Sequence, residues 1–296
     1  MELRQLRYFV TVAEQGHFTR AAERLLIAQP AISQQIRRLE ADLGERLFDR
    51  DRRSVRLTTA GQALLPEARA TLAAAERARA AVSSLSGLLT GRLTVGAFEG
   101  TSERLLARAL GRFRREHPAV EVRVREDYAG ELLAAVRRGE LDAAITGLPD
   151  DRRPPPGLRI DSIAREPLVV AASPGHRLAS QPTIPLARLA GEPMVALTPD
   201  STQRAHVERA CRAAGFTPDI TAETKHLSLL WDLVSEGIGI AVLPRSSRPP
   251  GHDELALIPI TQPSRYVRII AASSATAPSP AARAFLDIAT AAAMAG

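Results

Sequence analysis

The sequence predicts an all-helical N-terminal region that ends in a two-stranded hairpin, then one long helix, and then a two-lobed α/β region. Three observations support this prediction. Apolar residues recur at helical spacing through residues 1–44, they recur in heptads from residue 59 to about residue 90, and strand-like runs alternate with helix-like runs from residue 91 onward. The expected domain boundaries are therefore 1–58, 59–90 and 91–296.

The first two helices are short and amphipathic. Leu6 and Val10 lie on the apolar face of the first helix, which Gly16 is expected to end. Leu25 lies on the apolar face of the second helix, and Thr19 has a side chain suited to capping its first turn. The two helices can therefore bury their apolar faces against each other and against a third helix that follows closely.

The third helix combines an apolar face with a polar face that points outward. Pro30 suits its first turn, and Gly44 suits the left-handed position just past its end. Its apolar face is formed by Ile32, Ile36, Leu39 and Leu43. Its outward face is formed by Ser33, Gln34, Arg37 and Arg38. Such a set of hydrogen-bonding side chains can reach base edges in the major groove of DNA.

A basic hairpin follows the third helix. Residues 47–48 and 55–57 read as two short strands, and the hairpin between them would carry Arg50, Arg52 and Arg53 toward a phosphate backbone or an adjacent groove. Two helices joined by a tight turn and followed by such a wing predict a winged helix-turn-helix domain that binds double-stranded DNA. The alternative is a helical bundle that binds only protein. The predicted DNA contacts are Thr19, Gln29, Pro30, Ala31, Ser33, Gln34, Arg37, Arg38, Arg50, Arg52 and Arg53.

At these residues the chain resembles the LysR-type transcriptional regulators. The family's N-terminal signature is matched by MELRQLRYF (1–9), FTRAAERL (18–25), QPAISQQI (29–36), LEADLG (39–44), LFDR (47–50) and LTTAG (57–61). The resemblance implies a cytoplasmic transcription factor that binds promoter DNA as a homodimer or homotetramer and responds to a small-molecule effector. It implies no enzymatic activity, no cofactor and no metal.

The charge distribution agrees with a DNA-binding N-terminus. The formal net charge is +6, and residues 1–92 account for most of it, because they hold 15 arginines against 10 acidic residues. A basic end attached to a nearly neutral body is typical of a nucleic-acid-binding module joined to a domain with a different ligand.

The long helix from Thr59 to about residue 90 is expected to link the domains and to pair with a second copy. Leu65 and Leu72 recur at heptad spacing on one track, and Ala68 and Ala75 do so on the next. Small residues on such a seam allow two helices to approach closely. The alternative is a solvated connector that contacts no partner helix.

The C-terminal region reads as alternating strands and helices, which indicates parallel sheets. The path predicts lobe I from residues 91–163 and 267–296 and lobe II from residues 164–266, joined by two crossovers. This half resembles the effector domain of the LysR-type family, which looks like a periplasmic binding protein. Gly237–Pro244 is expected to form one of the lobe II strands.

Ligands in such folds lie between the lobes, beyond the carboxyl ends of strands and against helix N-termini. This rule and the resemblance give the following effector-site candidates: Gly100, Thr101, Ser102, Thr146, Thr198, Ser201, Thr202 and His226. Helix capping is the alternative role for Thr101, Ser102 and Ser201, because capping uses the same residue types.

Enzyme and membrane signals are weak. No nucleotide-binding loop or nucleophile elbow is present, and the six histidines show no metal-ligand spacing. No apolar run approaches the ~20 residues that span a bilayer, and the opening residues do not read as a signal peptide. The rival prediction is a solute-binding or enzymatic α/β protein with an appended helical bundle that does not bind DNA. The single cysteine, Cys211, fits a reducing compartment.

Overall fold

The computed structural model describes residues 1–51, 54–83, 89–98, 103–150, 152–262, 266–276 and 278–294. The chain divides into two compact units. The first unit is Met1–Gly87 together with Arg138–Glu140, and the second unit is Leu88–Arg137 together with Leu141–Gly296.

The first unit contains the predicted helices and hairpin. Its elements are α1 (Leu3–Gln15), α2 (Phe18–Leu25), α3 (Gln29–Leu43), β1 (Phe48–Asp51), β2 (Ser54–Leu57) and α4 (Thr59–Ser83). The rings of Phe9 and Phe18 contact the ring of Phe48, with centroid distances of 5.3 and 5.8 Å. This aromatic cluster fixes β1 against the helices, so the hairpin and the helices share one core.

Two local predictions in this unit are wrong. The residue that caps α2 is His17, whose ring accepts a hydrogen bond from the Thr19 backbone N–H, so Thr19 lies inside the first turn. Leu43 is 40% exposed and does not belong to the apolar face of α3. It is the last residue of the helix, where the chain turns away from the core at Gly44.

The first half of α4 packs within its own chain. Ala68 is buried, and Leu65 and Leu72 pack against the core formed with α1 to α3. The Arg7 guanidinium lies 3.2 Å from the Glu76 carboxylate and joins α1 to α4 on the surface. The heptad residues in this half are therefore covered by α1, while Val82, nearer the C-terminal end, is 70% exposed.

The second unit is an α/β structure. The elements of lobe I are β3 (Gly91–Ala97), α5 (Glu103–Glu116), β4 (Val120–Glu126), α6 (Ala129–Arg137), β5 (Ala143–Pro149) and α9 (Pro280–Met294). Those of lobe II are β7 (Pro193–Leu197), α7 (Thr202–Ala213), β8 (Asp219–Thr224), α8 (Leu227–Ser235), β9 (Ala241–Pro244) and β10 (Ala256–Pro259). The long strands β6 (Leu158–Ala172) and β11 (Tyr266–Ser274) lie at the crossovers.

The main sheet is mixed, which corrects the prediction of parallel sheets. Strand β3 runs parallel to β4 and β5, but β11 runs antiparallel to both β5 and β6, and β6 runs antiparallel to β9 and β10. Because the chain leaves lobe I on β6 and returns on β11, these neighbouring strands run in opposite directions. Strands β7 and β8 form a separate parallel pair.

The predicted strand over residues 237–244 is shorter than expected. Gly237 adopts φ +75° at the end of α8, and β9 begins only at Ala241. The left-handed conformation at Gly237 turns the chain from the helix toward the sheet, which leaves the first residues outside the strand. Across the described ranges, no helix is both long enough and apolar enough to span a membrane.

Candidate nucleic-acid interface and effector cleft

The solvent-facing side of α3 is polar and basic. Gln34, Arg37 and Arg38 are exposed, as are Pro30 and Ala31 in the first turn. The opposite side is held in the core by Ile32, Ile36 and Leu39, which are fully buried. The helix therefore presents one amide and two guanidinium groups to a partner, as major-groove recognition requires.

Ser33 does not lie on this exposed face. Its side chain is 6% exposed, and its hydroxyl accepts a hydrogen bond of 2.8 Å from Gln29 Nε2. On a helix, residues 29, 33 and 36 share one side, so Ser33 lies beside the buried Ile36. The prediction that Ser33 points outward is wrong.

The wing is fixed to the end of α3 by a partly buried carboxylate contact. Glu40 Oε1 accepts hydrogen bonds from the backbone N–H groups of Leu47 at 2.9 Å and Phe48 at 3.4 Å. The Thr58 hydroxyl donates to the Arg46 carbonyl at 2.6 Å and accepts from the Gly61 N–H at 3.0 Å. These bonds set the direction in which the hairpin leaves the helices.

The hairpin carries the remaining predicted DNA contacts. Its strands pair antiparallel from Phe48 opposite Leu57 to Asp51 opposite Ser54. Arg50 lies on β1 opposite Val55. The other two wing arginines, Arg52 and Arg53, lie outside the described residues.

A cleft lies between the two lobes of the second unit, with an empty volume of about 330 Å³. We call it the inter-lobe cleft. From lobe I it is lined by Phe98, Tyr128, Ala129, Gly147, Pro149 and Val267. From lobe II it is lined by Ser201, Thr202, Gln203 and Pro244. One wall is thus mainly apolar and aromatic, while the other is the first turn of α7.

An arginine anchors that first turn of α7. Arg204 donates to the Leu197 carbonyl at 2.9 Å and pairs with the Glu208 carboxylate at 2.5 Å. Ser201 caps the helix by accepting from the Arg204 N–H at 3.4 Å. Because Arg204 joins α7 to the carboxyl end of β7, the hydroxyls of Ser201 and Thr202 are held at the edge of the cleft.

Comparison with known proteins identifies the chain. Residues 3–62 match the family described as "Bacterial regulatory helix-turn-helix protein, lysR family", and residues 86–294 match the family described as "LysR substrate binding domain". The chain belongs to the LysR family of bacterial transcriptional regulators. The predicted family, the DNA-binding regulatory function and the fold class, an N-terminal helix-turn-helix domain plus a C-terminal effector domain, are thereby confirmed, and the rival enzymatic prediction is not supported.

Relatives and solved structures cover nearly the whole LysR-family chain. The Escherichia coli regulator YnfL is 37% identical over 269 residues, covering 88% of this chain and 88% of that protein. A full-length OxyR variant from Pseudomonas aeruginosa has a TM-score of 0.76 at 28% identity, covering 99% of this chain and 94% of the other. Full-length CbnR bound to its target DNA has a TM-score of 0.68 at 28% identity, covering 99% and 100%.

The structure brings together only part of the effector site predicted for this LysR-family regulator. Ser201 and Thr202 line the cleft. Thr198 lies nearby, and its hydroxyl already bonds Tyr128 and Asp200. Three further candidates lie outside the described residues: Gly100, Thr101 and Ser102.

Thr146 and His226 do not line the cleft. Thr146 is fully buried on the face of β5 that it shares with Ala144 and Leu148, which pack in the cluster beneath α6. Successive residues of a strand point to opposite faces, so Gly147 reaches the cleft and Thr146 does not. His226 is exposed at the N-terminus of α8.

The sequence-based prediction missed the aromatic wall of the cleft. Phe98 directly follows β3, and Tyr128 closely follows β4, so both lie beyond the carboxyl ends of parallel strands. The rule that identified residues 198–202 would have found them if it had been applied to apolar side chains as well as to hydroxyls.

Among the described residues, neither a metal-binding cluster nor a reactive thiol lies beside the cleft. Within the described part of the chain, no group of three or more His, Cys, Asp and Glu side chains could hold a metal ion. Cys211 is buried on α7, and burial, together with the nearby Glu208 carboxylate, raises the pKa of its thiol to about 11.

Proposed function

We propose that this LysR-family regulator reads promoter DNA with the exposed face of α3 and that a small metabolite in the inter-lobe cleft changes that binding. The main observation that supports DNA binding is that α3 has one buried apolar face and an opposite face with exposed Gln34, Arg37 and Arg38. CbnR, whose structure was solved with its target DNA, supports the same use of the fold.

The exposed side chains have different expected roles. Gln34 and Arg37, at the start and middle of α3, would form bidentate base contacts: the Gln34 amide with adenine and the Arg37 guanidinium with guanine. Arg38 and the wing residues Arg50, Arg52 and Arg53 would bind phosphates, which adds affinity without sequence preference. Contacts from Thr19, Gln29, Pro30 and Ala31 would fix the position of α2 and α3 on the duplex. Ser33 would act indirectly by orienting Gln29.

The cleft favours a ligand with an apolar body and a polar or anionic end. Phe98, Tyr128 and Pro149 offer an apolar wall, and the first turn of α7 offers the hydroxyls of Ser201 and Thr202. Free N–H groups at a helix start and the helix dipole both favour negative charge there. Such a ligand can shift the regulator between conformations only by binding one of them more tightly.

Membership of the LysR family also supports proposals for the oligomeric state and the cellular location of this regulator. The exposed second half of α4, with Val82 70% exposed, is suited to contact a second copy, so we propose a homodimer or homotetramer. Two recognition helices related by two-fold symmetry would bind half-sites separated by about one turn of DNA or a multiple of it. A protein that regulates transcription in a bacterium acts in the cytoplasm, where we place it.

Arg37→Ala tests the DNA assignment. Genomic fragments are selected with the full-length wild-type protein, and affinity is then measured by fluorescence anisotropy on a selected duplex and on its scrambled version. We expect the substitution to cost about 1–3 kcal/mol on the selected duplex, with a smaller loss on the scrambled duplex. Arg108→Ala, on the exposed side of α5 in the second unit, is the control and should leave both affinities unchanged. Equal affinities of wild type and Arg37→Ala on both duplexes would contradict the assignment.

A further inference from the structure

Tyr128 belongs to lobe I but packs inside lobe II. It lies between β4 and α6, its side chain is 5% exposed, and it joins the apolar cluster that contains Leu197, Leu227 and Trp231 of lobe II. Among the described residues of lobe I, only Tyr128 is a buried member of this cluster. Phe98 is partly buried and packs against the cluster from outside. The Phe98 and Tyr128 rings lie 5.6 Å apart.

The Tyr128 hydroxyl bonds directly to the other lobe. Its oxygen lies 2.8 Å from Thr198 Oγ1, and Thr198 Oγ1 donates to Asp200 Oδ1 at 2.7 Å. A threonine hydroxyl has one proton, so when Thr198 donates to Asp200 it must accept from Tyr128. The Lys225 carbonyl, 3.4 Å from the same tyrosine oxygen, is an alternative acceptor in lobe II for the single phenolic proton.

We propose that Tyr128 is a positioning residue that holds the two lobes in the arrangement that forms the inter-lobe cleft. Its buried ring fixes lobe I against the core of lobe II, and its hydrogen bond to Thr198 fixes the separation of the two walls. The same ring lines the cleft. One consequence rests on the proposed function: an effector group that replaces the Tyr128 hydroxyl as the donor to Thr198 breaks this contact and thereby releases the lobes.

Hydrogen–deuterium exchange of the full-length protein without ligand tests the positioning role. Tyr128→Phe keeps the buried ring and removes only the hydroxyl. The Tyr128–Thr198 hydrogen bond stabilises the lobe arrangement that forms the inter-lobe cleft. Its loss should therefore speed exchange about two- to tenfold in peptides covering residues 193–201 and 222–231. Tyr266→Phe, on β11, removes a tyrosine hydroxyl elsewhere in the same unit and should leave these peptides unchanged. Unchanged exchange in Tyr128→Phe would overturn the proposal.

Substitutions of Thr198 test the contact from its other side. Thr198→Val should speed exchange in the same peptides, and Thr198→Ser, which keeps the hydroxyl, should restore wild-type exchange. Combining Tyr128→Phe with Thr198→Val should give less than the product of the two single effects, because both remove one shared hydrogen bond. Effects that multiply fully would show that the two hydroxyls act independently and would overturn the proposal.

These measurements separate the positioning role from the proposed function. If exchange changes as expected but no compound binds the cleft, the positioning role stands and the effector assignment fails. If a compound binds the cleft but exchange in Tyr128→Phe equals that of wild type, the effector assignment stands and the positioning role fails.

Discussion

Gly61→Ala is expected to destabilise the DNA-binding unit, because Gly61 lies against the backbone that begins the wing. A Cβ at this position would lie 2.2 Å from the Leu47 carbonyl oxygen and 2.8 Å from Leu57 Cδ2. The backbone at Leu47 must therefore move away, which breaks its hydrogen bond of 3.0 Å from the Thr58 N–H.

The magnitude follows from three terms. Overpacking of this kind costs about 1–3 kcal/mol. Loss of one backbone hydrogen bond costs about 1 kcal/mol. Alanine regains about 1 kcal/mol through its higher helix propensity. The net destabilisation is therefore about 2 kcal/mol, which corresponds to a fall of roughly 10 °C in the unfolding temperature of a unit this small.

Gly111→Ala is the matched control, because Gly111 also lies within a helix but has space around it. A Cβ there would meet only Arg115 Nη1, at 3.7 Å. This variant should gain about 0.5–1 kcal/mol. Thermal unfolding followed by circular dichroism measures both variants, and the fluorescence of Trp231, the only tryptophan, reports the second unit separately. A Gly61→Ala protein that is as stable as wild type would refute the steric argument.

Three further predictions concern single side chains. Leu26 is 91% exposed and adopts the left-handed φ of 55°, which asparagine tolerates better than leucine. Leu26→Asn should therefore stabilise the first unit by about 0.5–1 kcal/mol and raise its unfolding temperature. A lower unfolding temperature would contradict the proposed backbone strain at Leu26. Arg50→Ala should lower the slope of log affinity against log salt by about 1, and an unchanged slope would place the wing away from phosphate. Hydrogen peroxide should leave DNA affinity and the mass of the peptide that contains Cys211 unchanged at neutral pH, because the buried Cys211 thiol with its pKa of about 11 stays protonated; rapid appearance of a sulfenic acid on Cys211 by mass spectrometry would contradict this.

The helices and the wing could be predicted because their signals are local. Pro30 and Gly44 mark the ends of α3, and Ile32 and Ile36 show its buried face within one turn of each other. The errors lie at the edges of these patterns. Ser33 borders the buried face, and its orientation depends on a hydrogen bond to Gln29 that spacing alone does not specify.

The effector cleft could be predicted only in part because it depends on contacts between distant residues. Ser201 and Thr202 follow the carboxyl end of β7, and that local position was sufficient to identify them. Tyr128 and Thr198 are 70 residues apart, and their contact exists only because β6 and β11 bring the lobes together. The antiparallel pairing of β11 likewise depends on the return path of the chain.

A small molecule that binds the inter-lobe cleft is expected to change DNA binding. The direct measurement is an anisotropy titration of a selected promoter duplex, with and without compounds that stabilise the full-length protein in a thermal-shift screen. Thr202→Val removes one hydroxyl from the cleft, and Thr221→Val removes one from β8 outside it. Wild type and Thr221→Val should respond alike, while Thr202→Val should need roughly 10- to 150-fold more compound, since a hydroxyl bond to a charged group contributes roughly 1.5–3 kcal/mol. Identical responses from all three proteins would show that the compound acts on DNA binding from a site other than the inter-lobe cleft.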